Sequence, residues 1–269
     1  MRRGEVIRGS KRALVTGASS GIGRAIADEL AVLGYNLILV SENSERLSRA
    51  GAELRSKHSD LHIREHAIDL ARLEAADELY EWIKAEGYVV DVLVNDAGMF
   101  SFLDFLKTPK EKVQRILLLH DMTTTMLCRY IGEEMLSRGG GHILNMSSYS
   151  LWMPFPGLAL YSASKAYLRS FSMAFAKEVR DKGIKVTALC PAGVTTDLYG
   201  LSESLKKVGL RTGILISPKS CARRGLKALW RGRKSSVPGW WNRLGIPFLL
   251  YMPMWLVRVA RKFTMRFQK

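Results

Sequence analysis

The sequence predicts an α/β chain built on a doubly wound parallel sheet of about seven strands flanked by helices. Three observations predict it. Short β-rich apolar runs alternate with amphipathic helical stretches, a glycine-rich turn joins the first run to the first helix, and 269 residues with 47% apolar content suit one domain with an ample core. Right-handed crossovers between successive strands place helices on both faces of such a sheet.

The elements follow in order. Residues 11–16 (KRALVT) form a first strand, Gly17 to Gly23 a tight glycine-rich turn, and residues 22–33 an amphipathic helix. Strand, turn and helix in that order aim backbone N–H groups at a phosphate. Strands at 36–41, 62–67 and 90–95 and helices at 43–57 and 71–86 continue the alternation. A long helix opens at Thr108, with Thr108 as cap, Pro109 in the first helical position and Glu111 closing a capping box. It runs to Arg138, where Gly139-Gly140-Gly141 stops it. A strand at 142–147, a helix at 159–182 and a strand at 184–190 follow, then a variable lobe at 197–216, a helix from Pro218 and a short strand at 234–237. Residues 1–238 read as one dinucleotide-binding and catalytic domain, and 239–269 as a basic, apolar extension.

Chemistry is signalled by Tyr161 and Lys165, with Ser148 thirteen residues before the tyrosine. Residues i and i+4 are neighbours on one helix face. Tyrosine ionises near ~10, and a cation ~4 Å away at an effective dielectric of ~20 contributes about 4 kcal/mol, enough to bring a phenol within reach of neutral-pH proton transfer. Three scattered cysteines (Cys128, Cys190, Cys221) have neither disulfide nor metal spacing, so no metal is expected.

TGASSGIG (Thr16 to Gly23), NDAG (Asn95 to Gly98), NMSS (Asn145 to Ser148), YSASK (Tyr161 to Lys165) and PAGVTTD (Pro191 to Asp197) stand in the order and spacing of one family. Over about residues 10–238 the chain resembles the short-chain dehydrogenase/reductase family. The resemblance implies a Rossmann-type fold and an NAD(P)-dependent reaction between a ketone and a secondary alcohol. It makes Tyr161 the general acid or base. Lys165 tunes Tyr161 and holds the nicotinamide ribose, and Ser148 bonds the substrate oxygen, with Ser147 the neighbouring alternative. His120 stands where the family has a relay asparagine, Asp121 being the one-residue-shift alternative. Gly17, Ser19, Ser20, Gly21, Ile22 and Gly23 match the diphosphate loop. Asp69 and Leu70 match the adenine site, Asn95, Ala97 and Gly98 the adenosine side, and Pro191, Val194 and Thr196 the carboxamide segment. Asp96 replaces the usual second asparagine, and Ala192 a usual glycine.

The end of the second strand, Ser41-Glu42, bears on NAD(H) against NADP(H). Neither the aspartate usual in NAD enzymes nor the arginine usual in NADP enzymes is present. A Glu42 carboxylate repels a 2′-phosphate, so NAD(H) is slightly favoured. Arg46 reads as a solvated helix residue. Relatives of this kind pair through the two long helices at 109–138 and 159–182, which implies a homodimer or homotetramer.

The formal net charge is +16, and it is not evenly spread: residues 198–269 hold 16 Lys and Arg against one acid, Glu203, leaving 25 against 24 elsewhere. The tail is also aromatic. From Pro253 an amphipathic helix is expected, with Leu256, Val259, Ala260, Phe263 and Phe267 on one side and Arg258, Arg261, Lys262, Arg266 and Lys269 on the other. Such a helix suits an anionic membrane surface, while Pro247 and Pro253 break the segment too early to span one. No recognition motif supports a nucleic-acid partner. No apolar leader follows Met1-Arg2-Arg3, so a cytoplasmic location is expected, peripheral at the inner membrane face. The tail and the apolar lobe Leu151 to Pro156 point to a lipophilic substrate of fatty-acyl, sphinganine-like or steroid-like type. The alternatives are a ketoreductase of a small polar carbonyl and a catalytically weak cofactor-binding sensor or scaffold.

Overall fold

The computed structural model describes residues 9–153, 155–196, 203–212, 215–251, 253 and 255–258. Seven strands lie in one sheet: β1 (Arg12–Thr16), β2 (Asn36–Ser41), β3 (Ile63–Ala67), β4 (Val92–Asn95), β5 (Gly141–Met146), β6 (Ile184–Leu189) and β7 (Ser235–Ser236). Their order is β3-β2-β1-β4-β5-β6-β7, and every pairing is parallel. The order reverses between β1 and β4, and the crevice at that point is where an open α/β sheet takes its ligand.

Alternate residues of each strand feed opposite layers, as a two-residue period requires. Ala13, Val15, Leu37, Leu39 and Leu144 pack beneath α1 (Gly21–Val32), α2 (Ser44–Lys57) and α8 (Pro218–Trp230). Leu14, Ile38, Val40, Leu93, Ile143 and Val186 pack beneath α3 (Ala75–Ala85), α5 (Thr123–Ser137) and α6 (Ala159–Glu178). Burial on both faces explains the near-continuous apolar runs of β1 and β2.

The structure changes three expectations. The helix expected at 71–86 begins at Ala75, because Asp69 bonds the Ala71 N–H and holds the preceding residues in a turn. The helix expected at 109–138 is α4 (Lys110–Leu117), a π-helical turn (Leu118–Met122) and α5. Pro109 takes the cap position, and the Thr108 hydroxyl bonds back to the Asp104 carbonyl at 3.2 Å, so the expected capping box does not form. In the tail, Trp240–Leu250 is a helix, α9, with Pro247 inside it, where a broken segment was expected. An internal proline costs about 3 kcal/mol. The helix is nevertheless pinned at its start: Asn242 donates to the Pro238 carbonyl at 2.9 Å, Arg243 to Val237 at 3.0 Å, and the Tyr149 hydroxyl to the Asn242 carbonyl at 2.7 Å.

The variable lobe contributes α7 (Glu203–Thr212). Asp197, at the end of the PAGVTTD motif, Pro154 of the apolar lobe, and residues 259–269, which carry most of the expected amphipathic helix, lie outside the described residues; Trp255 to Arg258 are helical. No helix among the described residues is long and apolar enough to cross a membrane.

Candidate active site

The carboxyl ends of the strands open into a cavity of about 560 Å³ at the strand-order reversal. Every site residue read from the sequence lines it except Gly23 and Asn95. Gly23 sits behind the diphosphate loop, where a Cβ would lie 2.5 Å from the Gly17 carbonyl oxygen and 2.6 Å from an Asp96 carboxylate oxygen. Asn95 faces the interior and braces the floor: it donates to Asn145 at 2.9 Å, Asn145 donates to Ser172 at 2.9 Å, and Ser172 to the Leu168 carbonyl at 2.6 Å. That ladder ties β4, β5 and α6 together directly under the site.

The glycine loop is shaped by two left-handed positions, Gly17 (φ 69°) and Gly21 (φ 62°). A Cβ on Gly17 would stand 2.9 Å from the Ala97 nitrogen. Thr16 fixes the facing loop by accepting from the N–H groups of Asp96 (3.1 Å) and Ala97 (3.0 Å). Ser20 caps α1 with extended backbone and no side-chain bond to the helix, so the first-turn N–H groups of Gly21 and Ile22 face an anion uncapped, while that of Gly23 bonds Asp96. The loop thus has room, left-handed glycines and free donors where a dinucleotide diphosphate belongs. When bound, such a cofactor gives or takes hydride.

Burial and bonding separate the two serines. Ser147 donates to the Lys165 carbonyl at 2.7 Å and is consumed in holding α6. Ser148 accepts from the Ser150 N–H at 3.1 Å, which leaves its own proton for an acceptor in the cavity. Lys165 is buried and donates to the Met146 carbonyl at 3.0 Å, with Nζ 5.8 Å from the centre of the Tyr161 ring. Burial pushes its ammonium down to about 8, against the opposing pull of Asp96 and Asp121. Burial likewise raises the Asp96 carboxyl to about 7, opposed by Lys165 and by the Gly23 N–H. Tyr161 is buried and edged by Phe100 and His120, with ring centres 5.1 and 5.9 Å away.

His120 lies in the π-helical turn, fully buried. Its Nε2 accepts from the Met99 N–H at 3.1 Å. Its Nδ1 sits 2.9 Å from the Ser164 hydroxyl, which itself donates to the Tyr161 carbonyl. The proton therefore belongs on Nδ1, and the ring is neutral: burial, then the Lys165 charge, hold its pKa well below the usual value. Both ring nitrogens are engaged by the protein.

At the far end of the cavity Asp69 lies 2.8 Å from Arg115 of α4, and Arg115 also approaches Glu42 at 3.5 Å. Burial raises the Asp69 carboxyl, but hydrogen bonds from Arg115 and the Ala71 N–H outweigh it and hold the carboxyl below its ordinary range. Sequence reasoning missed Arg115, because nothing in its spacing connects α4 to the ends of β2 and β3. It placed Arg46 in solvent; Arg46 is exposed, and it also lines the cavity rim. Asp96, Met99 and Thr195 are further wall residues.

Residues 11–205 match the sequence profile of the short chain dehydrogenase family. The chain is a short-chain dehydrogenase. Membership makes it an NAD(P)-dependent oxidoreductase. A Pyricularia oryzae protein named very-long-chain 3-oxoacyl-CoA reductase is 30% identical over 86% of the dehydrogenase and 69% of its own length. A human protein named inactive hydroxysteroid dehydrogenase-like protein 1 is 34% identical, over 91% and 73%. The dehydrogenase spans about two thirds of the length of the curated relatives it matches, 63% in one fungal case. Among solved structures, a Sphingobium yanoikuyae short-chain dehydrogenase in complex with NADPH superposes with a TM-score of 0.75 at 25% identity, covering 95% of each chain.

Proposed function

We propose that this dehydrogenase interconverts a ketone and a secondary alcohol on a lipophilic molecule, with a 3-oxoacyl thioester as the leading substrate class. One observation carries the lipophilic reading. A second cavity of about 450 Å³ is walled by Tyr149, Met153, Trp241, Phe248 and Leu249, with Thr212, Asn242 and Gly245. Tyr149, the residue after Ser148, belongs to its wall, which offers an apolar surface to the chain of a substrate whose carbonyl meets Ser148. The relatives named 3-oxoacyl-CoA reductase support the thioester. The test is oxidation of NADH and NADPH against 3-oxoacyl thioesters of rising chain length, a steroid ketone and a small polar ketone. Efficiency rising with chain length is expected. A flat series with a fast small ketone favours the polar-carbonyl alternative. Cofactor binding without turnover favours a sensor; the name of the human relative calls that protein inactive.

In reduction, Tyr161 donates its phenolic proton to the carbonyl oxygen as negative charge develops there, and Ser148 donates a second hydrogen bond to the same oxygen. Lys165 supplies the positive charge that stabilises the phenolate left behind. His120 acts as a brace, fixing Met99 and Ser164 around Tyr161. Since Lys165 loses its proton as pH rises through about 8, reduction should decline across that window. A kcat/KM profile from pH 6 to 10 that stays level above 9 would remove the lysine charge from the mechanism.

NAD(H) is the favoured cofactor, because Glu42 lines the cavity beside Ser41 and would face a 2′-phosphate. Association of copies through α5 and α6 is supported by exposed Met122, Leu136 and Tyr167 on and beside those helices. The tail reading moves from the segment after Pro253 to α9. Trp241, Leu244 and Phe248 recur at helical spacing on its outer side, and Tyr251 and Trp255 continue the apolar surface; all five are 61–85% exposed. With Arg243 and Arg258 exposed beside them, this surface fits an anionic lipid interface. Leu244 and Tyr251 lie outside both cavities, so Leu244→Ser with Tyr251→Ser should weaken binding to anionic vesicles about tenfold at low salt without touching turnover of a soluble ketone. Co-sedimentation unchanged in the double variant would locate the lipid contact elsewhere.

A further inference from the structure

Among the described residues, Arg115 is the arginine paired with both Asp69 and Glu42, two carboxylates that line the adenosine end of the cavity. Its Nη1 lies 2.8 Å from one oxygen of Asp69 and its Nη2 3.4 Å from the other, a two-pronged grip. The same Nη2 lies 3.5 Å from Glu42. The two contacts are unequal. Asp69 is the more buried carboxylate, and its Oδ1 is also fixed by the Ala71 N–H at 2.9 Å, whereas the Glu42 side chain is 69% exposed. An ion pair with so exposed a partner contributes little and rearranges readily. Glu42 therefore carries a carboxylate whose repulsion is partly cancelled by a guanidinium that can turn away from it while staying anchored to Asp69. Arg46, from α2, lines the rim on the same side.

We propose that Arg115 is a specificity-determining residue that opens this site to a 2′-phosphorylated adenosine as well as to the unphosphorylated one. The inference rests on the dinucleotide reading of the cavity. With a free ribose hydroxyl, Glu42 accepts from the hydroxyl and Arg115 keeps its contact with both acids. With a 2′-phosphate, Glu42 swings into solvent, and the Nη2 edge of Arg115, joined by Arg46, meets the phosphate. A phosphate monoester carries close to two charges and pairs with a guanidinium in a strong, directional hydrogen bond. Arg115 thus narrows the preference for NAD(H) that Glu42 creates, and it does so from α4, far in sequence from the end of β2.

The test is equilibrium titration of the full chain with NADH and with NADPH, followed by nucleotide fluorescence, with no substrate present. Wild type should bind both within about tenfold. Arg115→Leu should weaken NADPH by about tenfold or more and NADH by less than about threefold, since it removes a charge-assisted phosphate contact. Arg115→Lys should restore part of the NADPH affinity. Glu42→Gln should tighten NADPH, and that gain should vanish in the Glu42→Gln/Arg115→Leu double variant, a coupling that a merely structural role for Arg115 would not produce. Equal weakening of both nucleotides by Arg115→Leu would overturn the proposal and leave Arg115 as a support for Asp69. Unchanged binding of both would overturn it as well. Should Arg115→Leu fail to fold, Arg115→Gln, which keeps a donor to Asp69 without the charge, takes its place, and NADPH affinity unchanged from wild type overturns the proposal. If wild type binds neither nucleotide, the dinucleotide reading itself fails, and the selectivity proposal falls with it.

Discussion

Tyr161→Phe should lower turnover by at least about a hundredfold while leaving NAD(P) affinity within a few-fold of wild type, the usual scale for removing a positioned proton donor. The phenyl ring of the substituted residue keeps the volume that packs edge-on against Phe100 and His120, so the cavity wall stays in place. Only the hydroxyl is lost. The loss cannot be made good by Ser148 alone: its hydroxyl can donate a hydrogen bond, but a serine is far too weak an acid to surrender its proton to the alkoxide, and Ser147 is already spent on the Lys165 carbonyl. Lys165 would remain buried and bonded to the Met146 carbonyl. Single-turnover assays with pre-bound cofactor check the expectation, since they separate chemistry from binding. Turnover near the wild-type rate would mean that the proton comes from another group.

Much of this site was legible because the residues that carry it are short-range pairs. Tyr161 and Lys165 are one helical turn apart, and the glycine turn follows its strand without interruption. The sheet was legible for the same kind of reason: β1 and β2 are buried on both faces, so their apolar runs are unambiguous. What escaped depends on contacts distant in sequence. Arg115 meets Asp69 across 46 residues and acquires meaning only when α4 is laid against the ends of β2 and β3. Asn95 belongs to a motif that the family places beside the cofactor, yet its side chain turns inward to Asn145, 50 residues away. The choice between Ser147 and Ser148 rested on spacing until the Lys165 carbonyl was seen to occupy one of them. His120 shows the limit most clearly. An imidazole can donate and accept, and nothing in the sequence says that Met99 and Ser164 already occupy both nitrogens. The π-helical turn that carries it is equally invisible to a pattern of apolar spacing, and so is α9 with Pro247 inside it, whose start is held by bonds from Asn242, Arg243 and the distant Tyr149.

Gly23→Ala should abolish measurable cofactor binding and lower stability by about 1–3 kcal/mol, the range for forcing an extra carbon into a filled site. The new Cβ would stand 2.5 Å from the Gly17 carbonyl oxygen and 2.9 Å from its carbon, distances at which something must move. Neither neighbour yields cheaply. Gly17 is backbone, held at φ 69° with its own Cβ position 2.9 Å from the Ala97 nitrogen, so it cannot retreat toward β4. The third neighbour, 2.6 Å away, is the Asp96 carboxylate oxygen, which is buried and bonded to the Gly23 N–H. Pushing it aside breaks that bond and displaces the charge that faces Lys165. Relief therefore comes only by moving the glycine loop itself, and with it the first-turn N–H groups of α1 that await the diphosphate. The damage should thus appear in affinity before it appears in the melting curve. Gly87→Asn is the matched control: Gly87 also has a positive φ (66°), but nothing lies within 4 Å of its Cβ position, and asparagine tolerates the left-handed region. It should bind NADH as wild type does. Titration of both variants with NADH, alongside thermal unfolding, checks the pair. If the Gly23→Ala protein binds NADH normally, the loop yields where its contacts say that it cannot, and the diphosphate is held by other groups.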